Sequence, residues 1–95
     1  MTFETFKDTI NHESPPTELD VYCLALWHDA KGDWTYAHEV VGNLDDSKAA
    51  WVHAYLHRKE GDIWNADYWY RRAKRTRPDI TLQEEWSNIA SALLG

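Results

Sequence analysis

Residues 47–73 read Ser-Lys-Ala-Ala-Trp-Val-His-Ala-Tyr-Leu-His-Arg-Lys-Glu-Gly-Asp-Ile-Trp-Asn-Ala-Asp-Tyr-Trp-Tyr-Arg-Arg-Ala, and the stretch 29 residues earlier repeats their framework. Ala25 aligns with Ala54, His28 with His57, Gly32-Asp33 with Gly61-Asp62 and Ala37 with Ala66, all in a single register. Similarity at a fixed period of this size marks a stacked repeat architecture. Each unit reads as two helices around a Gly-Asp turn. Glycine takes the left-handed conformation that ends the first helix, and the aspartate that follows caps the second. The small residues, Ala25 against Ala37 and Ala54 against Ala66, let the paired helices approach closely.

Outward from this framework the flanks also read as helices. Residues 2–10 form a short N-terminal helix with Phe3, Phe6 and Ile10 on one face. Ser14-Pro15-Pro16 interrupts it, and Thr17 with Asp20 resembles a capping box for the next helix. Thr81-x-x-Glu84 is a second capping box, leading into Leu82, Trp86, Ile89 and Leu93 at helical spacing. The expected fold is therefore all-α. It is a short stack of antiparallel helical hairpins, 17–44 and 47–77, between an N-terminal helix (2–10) and a C-terminal capping helix (81–94).

The second unit, Ala50-x-x-His53-Ala54-x-x-His57 followed by Ala66-x-x-x-Tyr70, Ala73 and Pro78, resembles the tetratricopeptide repeat. Ala54, Gly61, Ala66, Tyr70, Ala73 and Pro78 match that pattern in type and spacing. His53 stands where the pattern has Leu, His57 where it has Tyr, and Ala50 where it has a bulky residue. The first unit matches at Val21, Leu24, Ala25, Gly32 and Ala37, with His28 again in place of Tyr and no closing proline. Its period of 29 residues, against the usual 34 or so, implies a shortened second helix ending near Gly42-Asn43. The run Ala54-Tyr-Leu-His-Arg-Lys-Glu-Gly-Asp, with Asn65-Ala and Tyr68-Trp-Tyr, also looks like a small family to which no activity attaches. The tetratricopeptide resemblance implies a protein-interaction module.

Composition narrows the function classes. The 95 residues, 43% apolar and 27% charged, suit one folded domain. Cys23 is the only cysteine and can form no internal disulfide. No apolar run approaches the roughly 20 residues of a membrane span, and the N-terminus has no signal-peptide pattern. The expected compartment is the cytoplasm. The net charge of −6 is segregated: residues 1–47 carry ten acids and two bases, residues 48–78 three acids and eight bases. Arg71, Arg72, Lys74, Arg75 and Arg77 lie within one short segment, placed to end a helix at its negative pole. The acidic balance argues against nucleic acid as partner, and the charge split favours self-association as a homodimer.

No nucleophile motif or phosphate-binding loop is present, which points away from an enzyme. Six tryptophans among thirteen aromatic residues point instead to a contact surface. The repeat register puts Trp51, Tyr55 and Arg58, with Lys48 and Lys59 at the edge, in a concave groove that continues into Tyr22, Leu26 and Asp29, unless the N-terminal helix packs over these residues and they are core. A second stripe, Trp64, Tyr68, Arg71 and Arg75, runs along the other helix and faces either the C-terminal helix, through Trp86, or a partner. The expected partner is a protein or peptide and no cofactor is required. The alternative is a small enzyme or metalloprotein. His53, His57 and Glu60 share one helical face, with His28 at the equivalent place of the first unit, and these four suit a divalent metal such as zinc. Otherwise the histidines are core residues bonded to Tyr70, Asp67 or a backbone carbonyl.

Overall fold

Helix begins wherever a side chain satisfies the first free amides. In the structure, a computed structural model that describes residues 1–94, Thr2 caps α1 (Phe3–Thr9) and Asp20 caps α2 (Val21–Ala30). Asp33 caps α3 (Trp34–Gly42), Asp46 caps α4 (Ser47–Glu60) and Asp62 caps α5 (Ile63–Arg72), each through a carboxylate oxygen that accepts a backbone N–H. Thr81 and Glu84 form the reciprocal box at α6 (Leu82–Leu94), each accepting the other's amide at 3.1 Å. The expected box at Thr17 is not the one used. Asp20 itself is the cap, and α2 starts three residues later than that reading placed it.

The six helices, with no strand among the described residues, make the fold all-α. The repeated turns share one geometry. Gly32 and Gly61 sit at φ +90° and +92°, and the amide that follows bonds back across the helix end: Asp33 to the His28 carbonyl at 2.9 Å, Asp62 to His57 at 3.0 Å. The two bonds are themselves 29 residues apart. Beyond each turn the next helix packs on the last, α3 on α2 and α5 on α4. Ala25, Ala37, Ala54 and Ala66 are fully buried there.

The main core gathers Phe6, Leu26, Trp27, Val41, Val52, Leu56 and Ile89 from five helices, and a smaller cluster of Ala54, Ala66 and Tyr70 joins α4 to α5. Helix α6 lies on α2, α4 and α1. Its Trp86 stacks on Phe6 with ring centroids 5.6 Å apart and donates Nε1–H to the Leu26 carbonyl at 3.0 Å. Trp86 therefore meets the α1–α2 side, not the Trp64–Tyr68 stripe that the sequence suggested for it. No helix is long and apolar enough to cross a membrane among the described residues.

Candidate functional site

The aromatic and basic residues expected on a binding face separate into two sets. The groove expected from the first helices of the two pairs is covered by α6, and it has become ionic core. Tyr55, 3% exposed, donates its hydroxyl to Asp29 Oδ2 at 3.2 Å, and Lys59 Nζ donates to Asp29 Oδ1 at 2.9 Å. Burial, with the Asp29 charge beside it, raises the Tyr55 pKa above the usual range. Arg58 donates to Glu85 Oε1 at 2.8 Å and to the Ile80 carbonyl, while the Tyr70 hydroxyl donates to the same carboxylate. These pairings give Tyr55 and Arg58, and in part Lys59, structural partners. A cavity of about 700 Å³ between α1, α2, α4 and α6 is what remains of the groove, with Lys59 and Trp86 on its wall.

The second set stays outside. Trp64 is 79% exposed, and Tyr68 and Arg71 on the same stripe of α5 are exposed with it. Arg72 lies over the Tyr68 ring and donates to its hydroxyl at 3.3 Å. Trp51 is half-buried and holds the Arg75 guanidinium 3.4 Å above its ring. Arg77 pairs with Asp67 at 2.9 Å, so Asp67 is not a partner of the histidines.

The histidines form the other concentration of chemistry. Helical spacing puts His53 and His57 on one face of α4, with their rings stacked at 4.9 Å. From α3, His38 reaches His53, the two Nε2 atoms lying 2.8 Å apart. Nitrogens of all three rings lie within 4.8 Å of one another. Aromatic side chains hold the group: Trp34 stacks on His38 and donates Nε1–H to the Leu56 carbonyl at 2.7 Å, and Trp69 of α5 stacks on His53 at 4.0 Å. Glu60 Oε2 accepts from His57 Nδ1 at 2.6 Å, so that in the neutral ring Nε2 is the lone-pair nitrogen. Asn65 Nδ2 stands 3.4 Å from that nitrogen, at the long limit of a hydrogen bond.

One nitrogen is left over. His53 Nδ1 is buried and has no hydrogen-bond partner. If His38 were the donor in the shared contact, neutral His53 would carry its proton on Nδ1, an orphaned N–H costing about 1–3 kcal/mol. The cheaper arrangement has His53 Nε2–H donating to His38 Nε2, with only a lone pair stranded at Nδ1. Burial, then the neighbouring charges that His38 and His57 would carry, lowers the His53 pKa to about 3. Burial, then His57, also lowers His38. Both rings are thus held neutral at pH 7.

Of the four residues read as metal ligands, the structure places His53 beside His57, bonds Glu60 to His57 only, and leaves out His28. His28 lies edge-on to Tyr36 and Trp27, with centroids at 4.5 and 5.0 Å. His38 takes its place. The repeat alignment could not find it, because His38 aligns with Asp67. The signal that marks it is local: Trp34, His38 and Val41 fall at i, i+4 and i+7, one stripe of α3, and Val41 is fully buried. The expected bonds from histidine to Tyr70, Asp67 or a carbonyl do not form. Cys23 is buried in the main core and its thiol is pushed up to about 12 by burial, so it serves as a small apolar residue. No protein-family model, curated protein or solved structure matches the chain.

Proposed function

We propose that the chain is a small tetratricopeptide-like interaction module that associates with a second copy of itself through the outer face of α5. The observation that carries this reading is Trp64, 79% exposed at the head of a stripe that continues along α5 through Tyr68 to Arg71. An indole left in water on a helix surface offers large apolar area and a polar handle, which suits an interface anchor. Its occupant is argued from charge. The stripe runs into the five cations of residues 71–77, whereas nine of the ten acids in residues 1–47 are exposed. A basic, aromatic face on one copy therefore complements the acidic half of another. Contact between two different faces repeats head to tail, so the association is a dimer or extends beyond it. The single buried thiol fits a cytoplasmic setting.

The test is mass in solution. Light scattering on concentrated protein should give more than the 11.2 kDa of one chain, and added salt should lower it. Trp64→Glu should return the protein to monomer with its helix content and melting temperature intact, because the side chain contributes little to the core. A monodisperse monomer of the wild-type chain at high concentration would overturn the reading. A second reading, a metal-binding role, is favoured by the convergence of His38, His53 and His57.

A further inference from the structure

Three imidazoles in one buried cluster are a poor core. Leu and Tyr fill such positions with more apolar area and no stranded nitrogen, and here one nitrogen of His53 has no partner in the fold. A local arrangement that breaks the ordinary rules of packing, without a compensating bond, is characteristic of a functional site. The cluster is also constructed. Trp34 and Trp69 sandwich its two ends, and Glu60 fixes the ring orientation of His57.

We infer that His38, His53 and His57 bind one divalent transition-metal ion, with Glu60 as a positioning residue that orients His57. An all-imidazole donor set with no thiolate suits zinc, cobalt, nickel or copper and is a poor site for magnesium or calcium, which take oxygen ligands. The bond from His57 Nδ1 to the Glu60 carboxylate is the outer-shell arrangement that fixes tautomer and raises ligand basicity at a histidine–metal bond. Three protein ligands leave a fourth position of a tetrahedral ion open, toward the side where His38 is half-buried and Glu60 exposed. A solvent molecule would complete the shell there. Asp62 belongs to an overlapping group with His57 and Glu60, but one of its oxygens already caps α5.

Loading the ion changes the contact between His38 and His53. Metal–nitrogen bonds of about 2.0–2.1 Å at tetrahedral angles hold two ligand nitrogens roughly 3.3–3.4 Å apart. His38 and His53 stand at 2.8 Å, joined by a shared proton. Binding opens that contact by about half an ångström, and the His53 proton moves from Nε2 to Nδ1, so that the ion takes the Nε2 lone pairs of both rings. The inference does not depend on self-association, since none of the three histidines is on the Trp64 stripe.

Titration of chelator-treated protein with Zn²⁺ and Co²⁺ should show one saturable site per chain, and bound Co²⁺ should give the intense visible absorption of a tetrahedral centre. Zn²⁺ at a hundredfold excess over its Kd should raise the melting temperature by roughly 10 °C. His38→Gln and His57→Gln should abolish the saturable site, Glu60→Gln should weaken it by about 10–100-fold, and His28→Gln should leave it unchanged. In wild-type protein, which needs no substitution to fold, Co²⁺ should broaden the NMR signals of three histidine rings and spare His12 and His28. Absence of saturable binding by folded wild-type protein overturns the inference. So does retention of the site in His38→Gln, or its loss in His28→Gln. An unchanged affinity in Glu60→Gln removes the positioning role.

Discussion

Gly61 and Lys74 occupy the same kind of position with opposite suitability. Both have positive φ, +92° and +60°, at the end of a helix, and in both the next amide bonds back across the terminus: Asp62 to His57 and Arg75 to Tyr70. A Cβ added at Gly61 meets no atom within 4 Å, so what a substitution costs there is backbone strain alone. Gly61→Ala should destabilise the protein by about 1 kcal/mol and Gly61→Val by more, because a β-branched residue is least able to adopt that conformation. Lys74→Gly should act in the other direction, relieving strain worth up to about 1 kcal/mol against the entropy glycine adds to the unfolded chain. Denaturant melts of the variants decide this. Equal stability of Gly61→Val and wild type would mean the turn is not fixed, and the register with it. The Gly-Asp turns were legible because glycine there has one physical reason. Lys74 was not, since nothing in a run of cations announces a left-handed residue.

At the level of elements, Arg58 shows what covering a face does to a side chain. The repeat register places it on an open groove, and in isolation that pair of helices would leave it exposed. Helix α6 brings Glu85, 2% exposed, against it, and Arg58, Tyr70 and the carboxylate close into one buried network. Removing one partner of such a pair strands the other charge in the core. Arg58→Met should therefore cost about 3–5 kcal/mol, while Tyr70→Phe, which takes away a neutral donor, should cost about 1–3. The double variant Arg58→Met with Glu85→Leu should recover much of the loss, since two apolar groups replace both charges. Chemical denaturation of wild type, these variants and Glu85→Leu checks it, and a double variant whose loss equals the sum of the Arg58→Met and Glu85→Leu losses would refute the network. The six helices and the caps at Asp33, Asp62 and Thr81 follow from spacing and capping chemistry, which are local. Which face α6 covers was not legible, because it depends on Phe3 and Phe6, eighty or more residues earlier in the chain, meeting Trp86.

The whole molecule brings the histidine cluster together, and it should govern the protein's response to acid. His53 and His57 could be paired from sequence by their spacing on one helix. His38 joins them only because α3 packs on α4 and Trp34 ties the two together through the Leu56 carbonyl. The groups facing His53 are His38 from α3, His57 from its own helix and the uncharged ring of Trp69 from α5. No carboxylate bonds to it. With the folded pKa lowered to about 3 and the unfolded value near 6.5, the unfolded chain binds the extra proton between them. The sign is then fixed: stability is complete above pH 6.5 and declines as the pH falls, by about 1.4 kcal/mol per unit for one proton. His38, shifted the same way, adds to the slope. Aspartate and glutamate, whose ordinary values lie near 4, contribute mainly below pH 5, so the interval from 6.5 to 5 reports the histidines. Metal-free protein should therefore lose stability across that interval, and His53→Leu should flatten most of the loss. If the two proteins lose stability equally between pH 6.5 and 5, His53 is not the buried neutral ring that the packing of α3, α4 and α5 makes it.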